Sequence, residues 1–391
     1  MERIGVMGGT FNPIHEGHLS MARHAMAQAG LDRVLFIPTG NPPHKRTGLA
    51  SGEDRYRMTC IAIRQFKGFE PSRIELDRTG VIYSADTLEL LHKAYPQGAF
   101  FFIIGEDTLH ELPTWHDPER LYTLCTFLVL RRPGSKAGFE GVWHERIRQG
   151  ARLQEVKMPA MDISSTAIRQ ALWAGEQPRG LPQGVEAYLM LKGLYGEKRW
   201  LPQGSQWLDK LYGMLSPQRF AHTLYVVAYA RHLAEVHGVN LNQAVCAALL
   251  HDCAKCMKLE EMQEAARKHD LVADQAIFNN GNLLHSAVGA QVAREAFGIS
   301  DPEVLEAIAC HTLGRIPMTP LDMIVFLADK IEASRAAYPL LEAIRQRAEE
   351  SLPGAVRLSL ESTAAYVAAR GGVLHPATLE VITWLKEGQA Q

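Results

Sequence analysis

Along the first 130 positions, short continuous apolar runs alternate with longer stretches of helical spacing. Ile4-Gly5-Val6-Met7, Arg33-Val34-Leu35-Phe36-Ile37-Pro38 and the runs at 99–104 and 126–130 read as buried strands. Between them the spacing predicts a helix from about His15, helices at 53–65, 85–95 and 118–121, and one further short strand at 73–76. Strands separated by helices pair in parallel, so an α/β sheet is expected. Ligands of such open sheets sit beyond the carboxyl ends of the strands. Gly8-Gly9, Thr39-Gly40-Asn41, Gly105-Glu106-Asp107 and Arg131-Arg132 all fall at those ends. Near residue 200 the pattern changes. The stretch Gly196-Glu197-Lys198-Arg199-Trp200-Leu201-Pro202-Gln203-Gly204-Ser205 is polar and broken by Pro and Gly, which marks a linker. Beyond it, apolar residues recur only at helical spacing, as in Ala244, Ala247, Ala248 and His251, so an all-α second domain is predicted. The division expected is 1–199 and 205–391.

A chain of 391 residues is too long for one typical core, and 47% apolar content serves two. The formal charge of −2 and pI near 6.8 exclude the basic field of a nucleic-acid binder. Anionic ligands must therefore be held by local groups, and small phosphorylated substrates fit better than polymers. Met1-Glu2-Arg3 runs straight into the first strand without the pattern of a signal peptide, and no apolar run reaches membrane-spanning length. A cytoplasmic protein without membrane partners is expected. The six cysteines are scattered, which fits reduced thiols, and Cys253-x-x-Cys256 is expected to pack a helix rather than form half a zinc site or a redox pair.

Candidate chemistry begins at Gly8-Gly9-Thr10-Phe11-Asn12-Pro13-Ile14-His15-Glu16-Gly17-His18. The glycines let the backbone turn sharply and approach a ligand. His15 and His18, three apart in the first helical turn, share a face near N–H groups that lack helical partners, a place to hold an anion. Ser164, Ser165 and Thr166 offer hydroxyls at another helix start, with Arg169 on the same face. Asn41-Pro42-Pro43-His44-Lys45 is a stiff loop ending in a cation. Together these stretches closely resemble the G-G-T/S-F-N-P-x-H-x-G-H and I-S-S-T-x-I-R signatures of the nucleotidyltransferase superfamily, and the Pro-Pro loop is similar to that of nicotinate mononucleotide adenylyltransferases. Ser84-Ala85-Asp86-Thr87, Leu112-Pro113-Thr114-Trp115-His116 and Arg131-Arg132-Pro133-Gly134 extend the resemblance, although many members carry Tyr where this chain has His116. It implies a Rossmann-like fold and transfer of an adenylyl group from Mg²⁺-bound ATP to nicotinate mononucleotide, by attack of the acceptor phosphate on the α-phosphorus. His15 and His18 are then expected on the α- and β-phosphates, Ser164, Ser165, Thr166 and Arg169 on the triphosphate, and Lys45 on phosphate. Gly8, Gly9, Thr10 and Phe11 would shape the nucleotide site. Thr87 and Trp115 would meet the nicotinate end, and Gly105, Asp107 and Arg132 the nucleotide. No side-chain nucleophile is required, since positioning and charge neutralisation are most of what such transfer demands.

In the second half, His222, His251-Asp252, His285, His311 and Asp329 lie in separate helical segments that a bundle can bring together. Buried apart, each would need its own partner. Imidazole with carboxylate suits Fe, Mn, Zn or Co. The set resembles the H…HD…D ligands of HD-superfamily phosphohydrolases, with His285 and His311 matching the extra histidines of members that hold two metals. His251-Asp252-x-Ala254-Lys255, Leu284-His285-Ser286, His311-Thr312-x-Gly314-Arg315 and Ala328-Asp329-Lys330-Ile331-Glu332 are similar, more narrowly, to the symmetrical diadenosine tetraphosphatases. That resemblance implies one or two transition metals, with iron first among the choices. Asp252 would bridge them, Lys255, Thr312 and Arg335 would hold phosphates, and a dinucleoside polyphosphate would be split into two ADP. Two alternatives stand: the same folds with another acceptor and a mononucleotide or cyclic nucleotide as substrates, or a second half that senses nucleotides without turnover. Self-association is left open.

Overall fold

The computed structural model describes residues 1–40, 48–131, 138–196 and 199–387. They form two compact units: Met1–Pro182 with a short stretch from Leu194, and Gln183–Gly193 with the chain from 199 onward.

The first unit is built from β1 (Glu2–Gly9), α1 (Glu16–Ala29), β2 (Arg33–Pro38), α2 (Gly52–Ile63), β3 (Phe69–Pro71), α3 (Ser84–Ala94), β4 (Gly98–Gly105), α4 (Glu106–Glu111), α5 (Pro118–Leu124), β5 (Thr126–Arg131), α6 (Phe139–Arg148), β6 (Arg152–Lys157) and α7 (Ser165–Ala174). All six strands pair in parallel, in the order β3-β2-β1-β4-β5-β6. Strand residues alternate between faces. Ile4 and Val6 of β1 share one face with Leu35, Ile37, Phe100, Phe102, Phe127 and Val129, packed by Leu88 and Leu91 of α3. The strand order reverses between β1 and β4, and at such a switch point the ends of neighbouring strands splay into a crevice. Gly8-Gly9 and Gly105 lie at that crevice.

Two expectations need correction. Residues 73–76 are not a strand: the strand is Phe69–Pro71, and the Asp77 N–H bonds the Arg73 carbonyl at 3.0 Å in a helical turn. The sheet also gains β6 at its edge, where Val156 is the buried residue of Arg152–Lys157.

The second unit is helical: α8 (Gln183–Lys192), α9 (Gly204–Met214), α10 (Pro217–Val236), α11 (Leu241–Leu250), α12 (Leu259–His269), α13 (Gln275–Phe278), α14 (Gly281–Phe297), α15 (Pro302–Cys310), α16 (Pro320–Ile331), α17 (Leu341–Glu350), α18 (Leu352–Ala369) and α19 (Pro376–Glu387). Its core helices start on strong caps. Ser216, Asp301 and Thr319 each accept a first-turn N–H and each precede a proline, whose fixed φ suits the first helical position. The middle of α10, from Phe220 to Val227, is buried on all sides, since α8, α11, α16 and α17 surround it. Helix α8, which falls on the first side of the expected division, belongs to this packing: Val185, Ala187, Tyr188, Leu189 and Leu191 are fully buried in it.

The six thiols are free; burial holds Cys253 up at about 12 with its Sγ donating to the Gly289 carbonyl, while Cys256 is exposed. No helix among the described residues is long and apolar enough to cross a membrane.

Candidate functional site

Two sites emerge, one in each unit. In the first, the chain leaves β1 through Gly8-Gly9 and enters α1 at His15. A side chain at Gly9 would meet the Phe11 ring at 2.9 Å, and one at Gly17 would meet His15 Nδ1 at 2.9 Å, so both positions are reserved for glycine. The His15 and His18 rings lie 3.7 Å apart, and the Phe11 ring meets His18 edge-on at 5.1 Å. The His15 N–H donates to His18 Nδ1 at 3.2 Å. A neutral imidazole has one acceptor and one donor nitrogen, so this bond leaves the His18 proton on Nε2. Burial, helped by the neighbouring His15, pushes His18 well below the ordinary imidazole value, and the ring is neutral. His18 therefore presents a neutral N–H donor.

Helix α7 closes on the same loop. Ser164 caps it by accepting the Ala167 N–H at 3.1 Å, the Ser165 hydroxyl donates to the Pro13 carbonyl at 2.9 Å, and Arg169 donates to the Asn12 carbonyl at 2.8 Å and to Thr166 Oγ1 at 3.3 Å. The Ser165 hydroxyl thus serves the loop, whereas Thr166 accepts from Arg169 and keeps its own O–H to donate, so α7 offers an anion that hydroxyl, its first-turn N–H groups and the guanidinium. Gly105 caps α4, whose first turn carries the exposed Asp107. Thr87 is buried near the start of α3 and donates to Glu75 at 2.8 Å. Trp115 stands edge-on to Phe102, while His116 stacks on Tyr83 at 3.9 Å. Lys45 and Arg132 lie outside the described residues.

Sequence reasoning missed Arg55, which is 1% exposed. Its guanidinium donates to the carbonyls of Thr10, Thr39, Gly40 and Ala50 at 2.6–3.2 Å and so ties the turn after β1 to the turn after β2. The sequence signal was faint: an Arg among the apolar positions of α2.

The second site lies where α10, α11, α14, α15 and α16 meet. His222, His251, Asp252 and Asp329 form one group whose ligand atoms lie within 4.8 Å of one another, and Asp252, His285 and His311 form another; all six side chains are buried. Asp252 belongs to both. His251 and His311 end their helices in the same way, each Nδ1–H donating to the carbonyl three residues back, Ala248 and Ile308, at 2.7 Å. In the neutral ring, the form that binds a metal, each Nε2 then carries a lone pair toward the centre. His222 is held from behind by Glu332, 3.1 Å from Nδ1, which turns Nε2 toward Asp329 at 3.0 Å. Glu332 is fully buried and is itself held by the Ser334 hydroxyl at 2.9 Å.

These residues fit metal ions. His251 Nε2 is fully buried without a hydrogen bond, with carboxylate oxygens of Asp252 and Asp329 at 3.2 and 3.8 Å. The Nε2 atoms of His285 and His311 stand 3.2 Å apart, and Asp252 Oδ1 is 3.0 Å from the first. Acceptors crowded in this way need a cation among them. Burial opposes charge on both carboxylates, yet His251 beside Asp252 and Lys330 beside Asp329 hold them well below the usual range. Burial pushes His311 down to about 3. The centre opens into a cavity of about 300 Å³ lined by Lys255, Thr312 and Arg335, and also by Arg219, Asn282 and Lys330, which sequence reasoning had not assigned. Arg219 pairs with Asp252 at 2.7 Å and Arg335 with Asp329 at 2.8 Å.

Residues 6–171 match the cytidylyltransferase-like family model and residues 219–334 the HD domain. The probable nicotinate-nucleotide adenylyltransferase of Saccharopolyspora erythraea is 44% identical over 196 residues, which is 49% of this chain and 89% of the relative. A Mycoplasma genitalium protein named probable nicotinate-nucleotide adenylyltransferase/Ap4A hydrolase is 29% identical over 336 residues, 85% of this chain and 88% of its own. Among solved structures, a predicted HD superfamily hydrolase involved in NAD metabolism from Clostridium acetobutylicum is 33% identical, with a TM-score of 0.45 and coverage of 46% of this chain and 96% of that one.

Proposed function

Since the chain belongs to the nicotinate-nucleotide adenylyltransferase family over its first half and carries an HD domain after it, we propose that it transfers an adenylyl group from ATP to nicotinate mononucleotide and splits diadenosine tetraphosphate into two ADP. Residues 1–199 and 205–391 are the proposed functional halves in sequence, with α8 of the first packed in the helical unit.

For the transfer, the observation that carries the reading is the convergence of His18, the start of α7 and Arg169 on the loop after β1. ATP enters as its Mg²⁺ complex. The acceptor phosphate attacks the α-phosphorus, the bond to the β-phosphate oxygen breaks, and pyrophosphate leaves, so no side chain forms a covalent bond. His18 donates Nε2–H to the phosphate oxygens where charge grows, and His15 stands beside it. Arg169 and the α7 amides take the departing phosphates, with Lys45 as a further cation. Donors fixed before reaction cost no reorganisation when charge develops. Thr87, Trp115 and their neighbours select the nicotinate end, and Gly105, Asp107 and Arg132 the nucleotide.

For the hydrolysis, the carrying observation is Asp252, shared by both ligand groups. His222, His251, Asp252 and Asp329 would hold one transition metal and Asp252, His285 and His311 a second, iron being the first choice. Metals there supply the Lewis-acid charge that phosphate hydrolysis needs. The chain's own part is to fix the histidine lone pairs inward through Ala248, Ile308 and Glu332, and to grip the polyphosphate with Lys255, Thr312 and Arg335 along the cavity. Incubation of the purified chain with ATP and nicotinate mononucleotide should release pyrophosphate and dinucleotide, with the amide counterpart a much poorer acceptor, because a site built for a carboxylate leaves polar groups unpaired on the amide. With diadenosine tetraphosphate, ADP should be the sole nucleotide product. Equal use of the two acceptors, or AMP with ATP as products, would sink the respective half of the proposal.

A further inference from the structure

The transferase site has a hub that no motif marked as one. Asn12 is 5% exposed and is bonded to three other segments. Its amide Nδ2 donates to the Gly48 carbonyl at 3.1 Å, its Oδ1 accepts the Ala50 N–H at 3.1 Å and the Tyr195 hydroxyl, and its own carbonyl accepts Arg169 at 2.8 Å. Buried amide groups left unsatisfied are costly, so this set of bonds fixes one orientation of Asn12. The loop carbonyl that anchors Arg169 is fixed with it.

Tyr195 reaches this hub from far along the chain, beyond α8. It is 9% exposed and its backbone has a φ of 57°, a left-handed conformation that is unfavourable for a non-glycine residue and persists only where surrounding contacts impose it. Burial raises its hydroxyl well above the ordinary phenol value, so the group is a donor throughout the physiological range. We propose that Tyr195 is a positioning residue of adenylyl transfer: its hydroxyl locks Asn12, and Asn12 holds Arg169 and the 48–50 segment in register for the triphosphate. Tyr195 touches no reacting atom; it acts through Asn12.

This inference rests on the adenylyl-transfer reading, and ATP binding without acceptor separates the two. In the full chain, Tyr195→Phe keeps the ring and removes the hydroxyl. ATP affinity, measured by calorimetry with Mg²⁺ present, should fall about 5–10-fold, the worth of one hydrogen bond, while KM for nicotinate mononucleotide stays within about twofold. Combined with Arg169→Ala, Tyr195→Phe should add almost nothing, because the group it positions is gone. Multiplying effects in the double variant, ATP affinity unchanged by Tyr195→Phe, or equal losses for ATP and acceptor would overturn the proposal. If Tyr195→Phe fails to fold, Asn12→Ala cuts the same link and should show the same non-additivity with Arg169→Ala; independence there overturns it too. A wild-type chain that binds ATP but does not adenylylate nicotinate mononucleotide would remove the acceptor assignment and leave this test readable.

Discussion

In the first unit, the groups gathered around the loop after β1 are, among the described residues, two imidazoles and the guanidinium groups of Arg55 and Arg169, and the nearby carbonyls of Thr10, Asn12 and Pro13 are already engaged by Arg55, Arg169 and Ser165. In the second unit, two carboxylates and four imidazoles are buried together, with lone pairs aimed at one another. On the proposed function the first arrangement needs no resident cation: burial keeps His18 neutral, and the anion it would meet would arrive with its own Mg²⁺. The second is stable only with positive charge among its ligands, which Arg219 and Arg335 supply in part and metals would supply in full. Sites for the same element, phosphorus, thus differ in where the compensating charge resides, and each should fail in its own way when that charge is altered.

The sharpest way to break the comparison is Asp252→Ala, which deletes the carboxylate shared by both ligand groups. Metal content and hydrolysis should fall by well over the ~10–100-fold typical of losing an outer partner, while adenylyl transfer proceeds at its usual rate. Loss of transfer in a folded variant would couple the halves. Next in size is His18→Ala, expected to lower the transfer kcat by about 10²–10³ with hydrolysis unchanged, the range of one preorganised donor at developing charge. A variant with normal turnover removes His18 from the mechanism. Glu332→Gln keeps the shape behind His222 but removes the charge, and metal affinity should drop by about 10–100-fold, read by competition with a chelator. An unchanged affinity would mean that Glu332 only packs. The smallest expected effect is with pH. A lowered pKa keeps His18 neutral as pH falls through the ordinary imidazole value near 6.5, so kcat/KM for ATP should show no acid limb centred there. An acid limb at that pH, absent in His18→Ala, would contradict the neutral-donor role.

Legibility followed how the parts lie along the chain. The turn from Gly8 to His18 and the start of α7 are contiguous, so glycines, histidines and capping hydroxyls were readable in place. Arg55 and Tyr195 were not, because each acts on carbonyls or amides distant in sequence: nothing near Arg55 announces that its guanidinium will meet Thr10, Thr39 and Gly40. Strand β6 escaped because an edge strand with Val156 as its buried position lacks the apolar run that marks central strands. Residues 73–76, Arg-Ile-Glu-Leu, alternate charged and apolar as a short strand would, but the Arg73 carbonyl starts a helical turn instead. In the helical unit the six clustered side chains come from five helices and their ends, and spacing alone said only that a bundle can gather them; the resemblance to HD phosphohydrolases named the set. Glu332 stands in the same stretch as Asp329 but had no role assigned, since its partner His222 lies 110 positions away. Helix α8 falls on the first side of the expected division yet belongs to the helical unit, because its buried residues surround the helix and α10 supplies an apolar wall.

The most direct test is to strip one preparation of the full chain with a strong chelator, remove the chelator, and assay both reactions with Mg²⁺ as the only added ion. Adenylyl transfer should run at its original rate, whereas diadenosine tetraphosphate hydrolysis should be absent and return on addition of iron, manganese, zinc or cobalt. Hydrolysis that survives metal removal, or transfer that collapses with it, would contradict an account in which one site takes its cation from the substrate and the other from the protein.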